Sequence, residues 1–174
     1  MYKIGIVGRG FVGSAVEFGF SPNVGCDAEV RVYDKDPNKS LHSLKETINE
    51  SDYVFVSVPT PSNQDGSINL DIIYDLFDEI DKVIDYEAEQ HPVIMIRSTV
   101  TPGTTRKIQQ EYPKMYIVFN PEFLTERSAK FDFINQSRFI VGGNWGSTTK
   151  VEHLYQWRFG KSTPVIKTNF ETAE

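Results

Sequence analysis

The chain has a single cysteine, Cys26, among 174 residues. An internal disulfide is therefore excluded, and the composition fits a reducing cytoplasm. Basic runs are missing too: 18 Lys and Arg stand against 24 Asp and Glu, a net charge of −6. That balance argues against nucleic acid or an anionic membrane surface as the main partner. No apolar run approaches the roughly 20 residues of a membrane-spanning helix. The N-terminus reads as a strand, not as a signal peptide. Repeats and low-complexity segments are lacking. Cys26 lies in Asn23-Val24-Gly25-Cys26-Asp27, which reads as a surface loop with a tolerated free thiol. What remains is an ordinary composition, long enough for one domain with a proper core.

What is present starts at the N-terminus. Lys3-Ile4-Gly5-Ile6-Val7 reads as a strand and runs into Gly8-Arg9-Gly10-Phe11-Val12-Gly13, after which Ser14 to Phe18 reads as helix. This is GxGxxG in strand–turn–helix context. Gly8 permits the tight turn, Gly10 lets a pyrophosphate approach the backbone, and Gly13 lets helix and strand pack closely. The helix start offers unpaired N–H groups and the positive end of its dipole to phosphates. Asp34 follows 21 residues after Gly13, at the end of the apolar run Val30 to Tyr33. Its carboxylate suits both hydroxyls of an adenosine ribose and repels a 2′-phosphate, which favours NAD over NADP. Lys35 beside it is a further candidate for a phosphate contact, or else solvated surface. The motif alone would fit any tight βα turn; the strand, the helix and the spaced acid together point to a dinucleotide.

Strands and helices then alternate, the pattern of a Rossmann-type doubly wound, mainly parallel α/β sheet with helices on both faces. Expected strands are Lys3–Val7, Glu29–Tyr33, Tyr53–Val58, Val93–Ile96, Tyr116–Phe119, Arg138–Gly143 and Pro164–Lys167. Expected helices cover Phe11–Phe20, Leu41–Asn49 with Ser40 as N-cap, and the apolar-periodic stretch from Leu70 to Ile84. Others run to about Glu111, capped by Thr101 or Thr104, and from Thr148 to Phe159. Phe170 to Glu174 opens another. The loop Pro59 to Ser67, rich in proline and Asp-Gly, lies beyond the carboxyl end of a central strand, where ligands of such sheets bind.

Four blocks carry a resemblance to a known family. They are the Gly8–Gly13 turn with Asp34; Val58-Pro59-Thr60-Pro61 with Asp65-Gly66-Ser67 and Leu70; Ser98-Thr99-Val100-Thr101-Pro102-Gly103-Thr104-Thr105; and Asn120-Pro121-Glu122-Phe123-Leu124-Thr125-Glu126. The chain resembles the N-terminal NAD-binding domain of the UDP-glucose and GDP-mannose (nucleotide-sugar) 6-dehydrogenases. That resemblance implies oxidation of a C6 alcohol to a carboxylate with two NAD⁺, through a cysteine-bound thioester. It implies that Gly8, Gly10, Phe11, Val12, Gly13 and Asp34 hold the cofactor, with Thr60 and Thr99 near its nicotinamide half. It further implies catalytic roles for Thr99 and Glu126, at a water and at protons, and a sugar pocket at Glu122, Phe123 and Leu124. Read without the family, Thr99 is a helix-entry residue, Glu122 a first-turn acid and Glu126 a solvated surface acid.

Two departures bear on loop geometry and sugar preference: Arg127-Ser128-Ala129 follows Glu126, and Gln136-Ser137 precedes Arg138. The family's nucleophilic cysteine and key lysine are not matched, and Cys26 lies in the wrong place for the former. The expectation is an NAD-binding unit over residues 1–170 and the start of a truncated central helix over 171–174. Such a fragment is inactive alone, and its C-terminal nucleotide-sugar domain is absent. A cytoplasmic location, a nucleotide-sugar substrate, no metal, no nucleic acid, no membrane and a homodimeric full-length enzyme complete the expectation. The alternatives are a non-catalytic NAD-binding module and another Rossmann dehydrogenase, for 6-phosphogluconate or a 3-hydroxy acid.

Overall fold

A computed structural model describes every residue from Met1 to Glu174. One sheet holds seven strands: β1 Lys3–Val7, β2 Glu29–Tyr33, β3 Tyr53–Val56, β4 Val93–Ile96, β5 Tyr116–Phe119, β6 Phe139–Gly143 and β7 Val165–Thr168. Their spatial order is β2-β1-β3-β4-β5-β6-β7. Neighbours pair parallel, except that β5 and β6 run antiparallel. The expected mainly parallel, doubly wound sheet is therefore present. Strand order reverses between β1 and β3, so the crevice at their carboxyl ends is the topological switch point.

Seven helices accompany the sheet: α1 Phe11–Gly19, α2 Leu44–Asn49, α3 Asp71–Val83, α4 Thr104–Glu111, α5 Ala129–Ile134, α6 Trp145–Phe159 and α7 Phe170–Ala173. All four residues of both β3 and β4 are buried, which explains their unbroken apolar sequences. Alternate residues feed two separate cores. Val54, Val56, Ile94 and Ile96 pack with Ile48, Ile73, Phe77, Ile80 and Ile108 on the face of α2, α3 and α4. Phe55, Val93 and Met95 pack with Val16, Phe133 and Leu154 on the face of α1, α5 and α6.

Several local expectations are corrected. α2 begins at Leu44, not Leu41, because Ser43 is its N-cap: Ser43 Oγ accepts the Glu46 N–H, and Glu46 Oε2 accepts the Ser43 N–H at 2.8 Å. That is a reciprocal capping box. Ser40 instead accepts the Asp34 N–H and donates to the His42 carbonyl. β3 stops at Val56, and α6 starts at Trp145, where Asn144 Oδ1 accepts the Ser147 N–H at 2.8 Å. Neither Thr101 nor Thr104 caps α4; its N-cap is Gly103, at φ +94°.

Helix α5 is an addition, too short to show periodicity. It docks on α1 where Gly19 leaves room, since a Cβ there would fall 2.2 Å from the Phe133 ring. Cys26 is not a surface thiol. It is 5% exposed and packs with the α1-side core, and burial pushes its pKa up.

Candidate cofactor and reaction site

The glycine turn joins β1 to α1 at the switch point. Gly8 has φ +92°, and a Cβ there would lie 2.5 Å from the Ser57 carbonyl oxygen. A Cβ on Gly13 would lie 1.9 Å from the Gly8 carbonyl oxygen, so the helix seats directly on the turn. Gly10 faces open space, with no heavy atom within 4 Å of its Cβ position. The turn thus has two packing glycines and one that leaves its backbone open to a ligand. These features fit a pyrophosphate at the start of α1.

Asp34, at the tip of β2, is oriented before any ligand arrives. Its Oδ2 accepts the Arg9 N–H at 2.6 Å and its Oδ1 accepts the Asp36 N–H at 2.8 Å. A carboxylate has about four acceptor positions, so lone pairs remain for two ribose hydroxyls. The Arg9 side chain folds away onto α1, with Nε and Nη2 donating to the Glu17 carboxylate at 2.8 and 2.7 Å. Gly8, Gly10, Asp34 and Lys35 line one cleft of about 330 Å³, closed by Tyr33, Ile72 and Leu76. Exposed Lys39 borders it too.

A second cleft of about 250 Å³ adjoins the first and shares Gly10, Ser57, Val58 and Pro59 with it. Phe11, Val12, Thr60, Thr99 and Glu122 line this second cleft. Thr99 is exposed within a well-anchored loop. On one side Ser98 Oγ donates to the Val58 carbonyl at 2.7 Å. On the other, the Glu174 carboxylate accepts the N–H groups of Gly103 and Thr105 at 2.6 and 2.7 Å. A charged side chain just past the end of α7 thereby supplies the cap that α4 lacks locally. Arg106 adds an ion pair with Glu171.

The Asn120–Glu126 block divides its residues. Glu122 reaches the Thr99 cleft, and its Oε2 accepts the Leu124 N–H at 2.7 Å. Leu124 itself packs partly against the α1-side core. Phe123 is 54% exposed and lines a different cavity, with Phe131 and Arg138. Glu126 is exposed in a short 3₁₀ turn and lines a further cavity with Ser14 and Lys130. Phe11 borders both that cavity and the Thr99 cleft. Thr99 and Glu126 are therefore not brought into one cavity. No group of three or more His, Cys, Asp or Glu is arranged to hold a metal. Three features were not expected from sequence: Glu174 as a cap, the Arg9 N–H that orients Asp34, and Arg97, which lines the Thr99 cleft and donates from its buried guanidinium to Asn120.

Comparisons with known proteins bear on the family and the fold. Residues 38–158 fit the model of the UDP-glucose/GDP-mannose dehydrogenase family, NAD binding domain. The chain belongs to that family. An uncharacterized protein of Methanocaldococcus jannaschii is 34% identical, over 99% of this chain and 22% of its own length. The UDP-glucose 6-dehydrogenase of Rickettsia typhi is 33% identical, over 71% of this chain and 29% of its own. This NAD-binding domain thus spans less than a third of either relative. Among solved structures, a GDP-mannose dehydrogenase from Pseudomonas aeruginosa aligns over 99% of this chain and 47% of its own, with TM-score 0.81 and 23% identity. At that identity it shows the shared fold. A 3-hydroxyisobutyrate dehydrogenase of Mycobacterium tuberculosis shares the fold at TM-score 0.69 and 15% identity. The family match, not the fold, separates the chain from such 3-hydroxy acid enzymes.

Proposed function

We propose that this chain is the NAD-holding half of a nucleotide-sugar 6-dehydrogenase, which oxidises a C6 alcohol to a carboxylate. The carrying observation is the pair of adjoining clefts. One ends at Asp34, the other at Thr99 and Glu122, and four shared residues join them. In this reading Asp34 accepts the ribose hydroxyls, and Gly10 with the start of α1 receives the pyrophosphate. Thr60 and Thr99 border the nicotinamide half. Bound NAD⁺ supplies the two-electron acceptor. Glu122 and the backbone at Phe123 and Leu124 orient the sugar, while Glu126 handles protons or water. Residues 1–170 form the NAD-binding unit.

The reaction's nucleophilic thiol is not Cys26, a reading supported by its burial in the core. Cytoplasmic location and a dimeric full-length enzyme belong to the same proposal. No helix of the chain is long and apolar enough to cross a membrane. The test is to incubate the 174-residue chain with NAD⁺ and UDP-glucose and follow NADH, with NADH binding measured in parallel. Binding without sustained NADH formation is expected. Repeated turnover would refute the division of labour.

A further inference from the structure

The carboxyl end of β4 carries a charge that the reading above does not use. Arg97 follows Ile96 directly and is 2% exposed. Its Nη1 donates to Asn120 Oδ1 at 2.6 Å and to the Tyr155 hydroxyl at 3.4 Å. Its Nε and Nη2 have no partner. None of the molecule's ion pairs includes it. Its polar neighbours are neutral and already committed. Asn120 Nδ2 donates to the Ile140 carbonyl at 2.7 Å, and Asn120 Oδ1 also accepts from the Tyr155 hydroxyl. The Phe133 ring lies 5.6 Å from the guanidinium carbon. A guanidinium does not give up its proton in a protein, so the charge persists.

A buried cation without a counter-charge costs stability, and Arg97 is one of the residues lining the cleft of Thr60 and Thr99, with its guanidinium held on Asn120 and Tyr155 beside the Phe133 ring. The only other charged residue lining that cleft is Glu122. Glu122 is half-buried, so water weakens its field more than that of Arg97.

We propose that Arg97 sets the site's preference between the two charge states of the nicotinamide ring. The inference rests on the reading that the nicotinamide half occupies this cleft. The oxidised ring carries a positive charge and the reduced ring does not. A buried cation therefore repels NAD⁺ and spares NADH, while the adenosine half contributes equally to both. The reduced form binds more tightly, and by linkage the bound couple is a stronger oxidant than the free one. That bias favours removal of a hydride from an alcohol. Arg97 acts here through its field, as a specificity-determining residue.

The test is titration of the 174-residue chain with NAD⁺ and with NADH, in the wild type, Arg97→Gln and Arg97→Lys. The readout is the ratio of the two dissociation constants, in which a general loss of folded protein cancels. The wild type is expected to favour NADH by about tenfold, the size of a unit charge acting through partly polarisable protein. Arg97→Gln, which can still hydrogen-bond Asn120, should bring the ratio to within about twofold of unity, and Arg97→Lys should keep it. In the wild type the ratio should also survive a rise from about 50 to about 500 mM salt, because a buried charge is poorly screened. An unchanged ratio in Arg97→Gln overturns the inference. A ratio near unity in the wild type, or one erased by salt, also overturns it. So does collapse in Arg97→Lys, and these last outcomes decide the matter if Arg97→Gln does not fold. A folded wild type that binds neither form overturns the cofactor reading, and this inference with it.

Discussion

The two ends of the cofactor cleft are built differently. At the proposed adenosine end the charged groups Asp34 and Arg9 are held within the fold, and the buried Ser57 hydroxyl shared with the second cleft is the polar atom there without a partner. Asp34 is held by two backbone N–H groups, and Arg9 is tied to Glu17. At the proposed nicotinamide end, two nitrogens of Arg97 have no partner, Thr99 is exposed, and the loop depends on the carboxylate of Glu174, just past α7. The first end is built from residues close together in sequence around the glycine turn and the tip of β2. The second depends on distant parts of the chain and holds an unbalanced charge. In the proposed reading, recognition of the adenosine half is local, whereas the reactive half draws on groups brought together by the whole domain.

Substitutions can break or sharpen that contrast. The largest effect belongs to Gly13→Ala, since the new Cβ would meet the Gly8 carbonyl oxygen at 1.9 Å. A loss of about 3 kcal/mol or more in stability is expected, with NADH binding abolished, read by thermal unfolding and fluorescence titration. Asp34→Ala comes next. Removing two charge-assisted hydrogen bonds should weaken NADH about 10- to 100-fold. It should also improve NADPH relative to NADH, because Lys35 and Lys39 remain beside the ribose position. Glu174→Gln removes the charge from the start of α4 and should cost about 1 kcal/mol, seen as a lower Tm, with a smaller loss of NADH affinity than at Asp34. The smallest effect is expected for Glu126→Gln. Lying outside both clefts, it should change NADH affinity less than about twofold, within the usual range for surface substitutions. A large loss there would mean that the cavities join on binding.

Legibility from sequence follows the same division. The glycine turn, Asp34 and the apolar strands are local signals, because a few neighbouring residues define each of them. The Ser43-Leu44-Lys45-Glu46 box was equally local, yet Ser40 competes for the same role in a stretch rich in capping residues. The cap on α4 was not legible, since its carboxylate comes from a residue 71 positions after Gly103. Cys26 misleads because the turn at Asn23 and Gly25 is exposed while the cysteine side chain next to it is buried. Arg97 misleads because arginine is rarely buried; only its place directly after an all-buried strand hints otherwise. The separation of Glu126 from Thr99 depends on how the chain turns after Leu124, which spacing alone does not define.

The central claim is that Asp34 and the glycine turn form a preorganised NAD cradle. Equilibrium titration of the wild-type chain with NADH against NADPH tests it most directly. One NADH per chain is expected, with NADPH weaker by about tenfold or more, because the held carboxylate faces the 2′-phosphate. Equal affinity for the two, or binding of neither to the folded chain, would contradict the account.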